Sequence, residues 1–154
     1  MSRTFSSWLS GPESARPQLP EEAPGQRLGL PPTGPGSLAP MGRRVLALVV
    51  DWLVAYGLAG LGLTLGLVTA ELLATAVMVI WLVLGMAALR LFGFTPGQYV
   101  FALRVVAVDG TGVGLIRAVV RGLLLALVVP ALFVDADGRG LHDRATATAV
   151  VRSR

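Results

Sequence analysis

The stretch VLALVVDWLVAYGLAGLGLTLGLV, Val45 to Val68, decides the reading of this chain. Its 24 residues contain one charged side chain, Asp51. As a helix rising 1.5 Å per residue it would reach about 36 Å, enough to cross a hydrocarbon core of roughly 30 Å with some tilt. A second apolar run follows from Leu72 to Phe92 and is charged only at Arg90. Between the two lie just Thr69, Ala70 and Glu71, so the sequence predicts an antiparallel pair of membrane helices. A cleaved signal peptide is a poor fit to the first run, which is too long for a signal core and lies far from Met1.

Composition agrees. Of 154 residues 54% are hydrophobic and 14% charged, against about 25% charged in a soluble domain. Mean hydropathy is +0.71. With no cysteine, disulfides, thiolate metal sites and a thiol nucleophile are all excluded. The net charge is +4, and all 13 basic residues are arginine. These arginines mark the borders of apolar runs instead of clustering on one soluble face with aromatics between them, which argues against nucleic acid as a partner. The bilayer is the partner this composition names, with a second copy or another membrane protein beside it.

Flanking charge gives an orientation. Arg43 and Arg44 precede the first run, Arg90 closes the second, and the short loop has no arginine. The positive-inside rule then places the N-terminal end and everything after Arg90 in the cytoplasm. Residues 1–41 hold eight of the ten prolines and read as a disordered cytoplasmic tail, with Trp8 and Leu9 its one apolar pair.

A third apolar segment, within residues 117–134, is harder to place. Gly122 to Val134 is uncharged but contains Pro130 and would extend only about 20 Å. A half-embedded helix fits best; a full third crossing, which would carry Arg139, Arg144, Arg152 and Arg154 outside, is the alternative. Residues 99–113 read as a β-hairpin turning at Asp109-Gly110, and Ala147 to Val151 is again β-prone. The expected architecture is therefore a two-helix membrane hairpin, a short third helix, a small cytoplasmic β element from these strands, and a polar turn and strand over 135–152.

Asp51 is the residue most suggestive of function. A lone carboxylate at this depth costs about 2.5–3.5 kcal/mol on insertion scales, so it must be neutral, paired or facing a wet cavity. Arg44 shares its helix face but can snorkel to the interface. Arg117 or Arg121 can meet it if the third helix packs alongside. One reading is an ion or proton site; the other is a structural salt bridge that docks the third helix. Gly62 and Gly66 stand in GxxxG spacing, suited either to a homodimer or to the hairpin's own contact.

The densest polar segment is Asp135 to Arg144. As a calcium loop it fails at its fifth and twelfth positions, Arg139 and Thr146. His142 beside Asp143 suggests a dyad, yet neighbours on a strand or loop point apart. No cysteine or second histidine accompanies them, and Ser153 is the one serine after residue 41. Neither a catalytic triad nor a metal site can be assembled, so no enzyme, cofactor or metal is expected. A polar turn held by Asp–Arg pairs is the structural reading.

Three segments in order carry a family resemblance. Gly42-Arg43-Arg44-Val45-Leu46 through Asp51 resembles the opening of RDD-family membrane proteins. Gly93-Phe94-Thr95-Pro96-Gly97-Gln98 with Leu103-Arg104-Val105-Val106 and Asp109-Gly110 is similar to that family's middle segment. Leu141-His142-Asp143-Arg144 followed by Thr148-Ala149-Val150-Val151 resembles its C-terminal signature. Ser7 through Pro12 and Leu28-Gly29-Leu30-Pro31 are similar to the extension of a GC-rich bacterial subgroup. The resemblance implies a bacterial plasma-membrane protein whose signature residues are Arg44 (or Arg43), Asp51 and Asp143. It implies no defined activity, with transport suggested for some members. Two functions stand open: a structural or accessory membrane protein, and an ion- or proton-coupled transport component acting as an oligomer through Asp51.

Overall fold

The computed structural model describes residues 25–127 and 139–154. Helix α1 runs Met41–Thr64 and helix α2 Leu73–Phe92, joined through a 3-10 turn at Ala70–Leu72. Pro40, which has no N–H to continue a preceding helix, stands just before α1. Helix α1 ends four residues before the apolar run does, because Gly66 turns left-handed at φ 72°. The amides of Leu67 and Val68 then bond back to the Gly62 carbonyl. Gly66 is therefore outside the helix, and Gly62 and Gly66 form no helical contact stripe. The close approach is made instead by alanines. Ala47, Asp51, Ala55 and Ala59 are the buried residues of α1, every fourth position on one face. Ala55 and Ala59 pack on Val77 and Trp81 of α2, and Trp52 stacks on Trp81 at 5.2 Å.

Only 17% of the most apolar stretch of α1, and 22% of that of α2, is buried within the chain. Leu53, Leu61, Val79, Val83 and Leu91 all point outward. Apolar surface on this scale does not face water in a monomeric soluble protein. Both helices are long and apolar enough to cross a membrane.

Beyond α2 the chain turns at Gly93, left-handed at φ 76°, into the short helix α3, Pro96–Val100. Strand β1, Leu103–Ala107, leads through the Asp109-Gly110 turn to helix α4, Leu115–Ala126; helix α5, Leu141–Ala145, and strand β2, Thr148–Arg152, follow. Residues 99–113 are thus no hairpin. Tyr99 is helical, and beyond the turn Gly112 and Gly114 offer no side chains for a strand to bury. The partner of β1 is β2, antiparallel with Leu103 opposite Arg152 and Ala107 opposite Thr148.

Along the other edge of β2 lies part of the segment read as a disordered tail. Gly36 and Ala39 donate to the Arg152 and Val150 carbonyls at 2.8 and 2.9 Å, and Arg152 donates to Ser37 at 2.9 Å. Backbone pairing needs no apolar side chains, which is why composition misjudged residues 25–40. The remainder of that tail, including Trp8 and Leu9, lies outside the described residues.

Helix α4 packs on α2, where Gly122 sits so close that an added Cβ would lie 3.0 Å from Met86. It buries Ala118 and Arg121 and leaves Ile116 80% exposed. The expected continuation of this helix to 134, with Pro130, lies outside the described residues. Where the helices meet the sheet, Ala39, Ala47, Leu89, Leu103, Val105, Ala118 and Val150 form a second core.

Candidate functional site

Two polar centres are buried, and each fastens one part of the fold to another. At the first, Asp51 accepts from Thr95 Oγ1 at 2.5 Å and from the backbone amide of Gly97 at 2.7 Å. Both donors sit in the first turn of α3. Thr95 is its N-cap, Pro96 follows, and a capping box joins the Thr95 amide to Gln98 Oε1 and the Gln98 amide to Thr95 Oγ1. Helix α3 thus presents backbone and hydroxyl donors to the carboxylate. Contact is close enough to require glycine: a Cβ on Gly97 would fall onto the Ala47 carbonyl oxygen and 2.8 Å from its carbon.

Neither arginine proposed for Asp51 reaches it. Arg117 pairs with Asp109 at 2.6 Å on the surface, because the turn before α4 places that carboxylate beside the helix's first turn. The bond from Arg117, then those from Thr111, hold the Asp109 carboxyl well below the usual aspartate range. Arg121, one turn further along the same face of α4 and buried, pairs with Asp143.

The second centre surrounds Asp143, whose side chain is 0% exposed. Its Oδ1 meets Arg121 and its Oδ2 meets Arg44 at 3.4 Å. Arg44 does not snorkel outward; it also donates to the Val150 carbonyl at 3.5 Å. Arg121 donates to Thr148 Oγ1 at 3.2 Å, and the hydroxyls of Thr146 and Thr148 lie 2.9 Å apart. Burial, then the positive charge of Arg44, pull the Arg121 guanidinium below its ordinary range to about 9, so it stays a cation at neutral pH. His142 Nε2 comes within 3.4 Å of Asp143 Oδ1. The expectation that the two would point apart assumed a strand or loop, whereas Leu141–Ala145 is a turn of helix.

The structure therefore joins Arg44, Arg121 and Asp143, sets Asp51 apart against the start of α3, and leaves Arg117 at the surface. Thr95, Gly97 and Thr148 are site residues that the sequence reading missed. Of these, Thr95-Pro96-Gly97-Gln98 carried a legible signal, a Thr-x-x-Gln capping box with Pro at the first helical position. Among the described residues no group of three His, Cys, Asp or Glu side chains could hold a metal ion. Asp135 and Asp137 of the rejected calcium reading lie outside the described residues.

A profile of the RDD family matches residues 38–147, more than half of the chain. The chain belongs to the RDD family. That makes it a membrane protein, in keeping with two helices suited to crossing a bilayer. No curated protein and no solved structure matches it. The matched range of this RDD protein takes in α1 to α5, and with them Arg44, Asp51 and Asp143.

Proposed function

We propose that this RDD-family chain is a structural or accessory membrane protein: a hairpin anchor carrying a clamped cap of α3, α5 and the sheet to a membrane complex. The observation behind this reading is that the Asp51 carboxylate is engaged by Thr95 and Gly97. A proton or ion relay needs a carboxylate that can exchange partners, and this one holds two elements together. Asp143 is likewise enclosed by Arg44 and Arg121. The reading includes no enzymatic activity. It places α1 and α2 across the bacterial plasma membrane and the arginine-bearing cap in the cytoplasm. Support comes from Arg43, Arg44 and Arg90 at one end of the hairpin and an arginine-free loop at the other. Helix α4, with Leu115, Ile116 and Leu123 exposed, is read as lying in the interface on the cap side.

Asp51→Asn tests this against transport. An amide supplies only one acceptor oxygen where two donors converge, so membrane abundance and melting temperature should fall, with no specific loss of ion flux in reconstituted vesicles. Normal abundance and melting together with abolished flux would establish the transport reading instead. Because Arg121 does not touch Asp51, Arg121→Gln should give no rescue of Asp51→Asn.

A further inference from the structure

Helices α1 and α4 both pack on α2 and leave a cleft between them with a cavity of about 90 Å³. That is roughly three times the share of one water in the liquid. Its walls are mostly apolar, with Leu48, Trp81, Gly85 and Leu125 among them, and Asp51, Thr95 and Gln98 border it on the α3 side. One end, level with the sheet, is bordered by Arg44, Arg121 and His142. Arg121 carries the argument. Its side chain is 4% exposed, and among the described residues its bonds to Asp143 and Thr148 both leave from Nη1. Nε and Nη2 make no hydrogen bond among the described residues, and Arg121 lines the cleft. Arg44 and Arg121 bring two guanidinium groups to this end, on either side of Asp143. Asp51 borders the same cleft but lies seven residues further along α1, about 10 Å, with its oxygens turned to Thr95 and Gly97.

A cationic end, an apolar body and a wall of two membrane-suited helices match one class of ligand. We propose that this cleft binds an anionic phospholipid, with the phosphate on Arg121 and Arg44 and the beginning of one acyl chain over Gly85. Guanidinium is suited to the role because its planar fork pairs two phosphate oxygens at once. The remaining chain length lies in the bilayer, which the small cavity requires.

The test uses the full chain purified in detergent, with lipid retention read by native mass spectrometry. Phosphatidylglycerol should be retained about tenfold better than phosphatidylcholine, the ratio expected of one added charge-assisted pair. Arg121→Gln and Gly85→Leu should each abolish that preference, and inorganic phosphate should not displace the lipid. Gly85→Leu, whose Cβ meets nothing within 4 Å and which leaves the Asp143 cluster untouched, is read for binding alongside its melting temperature, so that loss of lipid and loss of fold are told apart. Three results would overturn the proposal: equal retention of the two lipids by the native chain, a preference that survives in a Gly85→Leu protein of native melting temperature, or displacement by inorganic phosphate alone, which would mark a free-phosphate site.

Discussion

Replacing Gly97 by alanine forces a choice between two buried elements. The new methyl group would coincide with the Ala47 carbonyl oxygen, a backbone atom that cannot swing aside as a side chain can. If α1 gives way, the cost is that of an overpacked core, about 1–3 kcal/mol. If α3 gives way, Asp51 loses the Gly97 amide and the Thr95 hydroxyl, bonds to a charged group worth about 1.5–3 kcal/mol each. Alanine's better helix propensity returns about 1 kcal/mol. The net expectation is a loss of up to about 2 kcal/mol if α1 yields and of about 2–5 kcal/mol if α3 does, against a stability of about 5–15 kcal/mol. Gly85→Ala is the control. Open space surrounds Gly85, so propensity alone acts and that variant should match the native protein or gain up to about 1 kcal/mol. Denaturant unfolding in mixed micelles, followed by circular dichroism, gives both differences. A Gly97→Ala protein as stable as the Gly85→Ala control would show that Asp51 does not hold α3 in this way.

Three further outcomes are expected. Because the Asp109 carboxyl is depressed in the folded chain, its contribution is present above the ordinary aspartate value of 3.8 and is lost as the pH falls below it. Arg117→Gln should return its titration, read by carboxyl carbon NMR, toward that value; an unaltered titration would discount the pair. Ala147 is left-handed at φ 49° immediately before β2, so Ala147→Val should lower stability by about 1 kcal/mol or more while Ala147→Gly is neutral or better, measured by thermal melting. With no native cysteine to compete, Ser153→Cys should react with a membrane-impermeant maleimide only in inside-out vesicles, and labelling of intact spheroplasts would reverse the assigned orientation.

The helices were legible because length and apolarity are properties of single segments. Val45–Val68 and Leu72–Phe92 located the hairpin to within a few residues, the error at Gly66 arising from a backbone turn inside an unbroken apolar run. The β-prone character of Tyr99 to Val108 and of Ala147 to Val151 was visible too, and the small sheet expected from them is the β1–β2 pair. The hairpin expected within residues 99–113 was the error, because the Asp109-Gly110 turn leads into a helix and not into a strand. The partners of Asp51 were not legible. A search for its mate looked to cations, and the donors are a hydroxyl and a backbone amide, the second of which no residue type announces. Arg121 was expected to reach Asp51 and pairs instead with Asp143, since the pattern along α4 fixes which face it occupies and not what arrives there from α5.

Chain order gives the two clamps different histories. Thr95 and Gly97 are made 44 and 46 residues after Asp51, whereas Asp143 comes 99 residues after Arg44. At a synthesis rate of about 5–20 residues per second, the acid waits some 2–9 s for its donors and the arginine about 5–20 s for its counterion. Through the longer interval Arg44 stands at the start of the first helix without the acid it later meets. Only when Asp143 emerges can that pair close, so the fastening of α3 to the first helix can be complete well before the one that draws in the end of the chain.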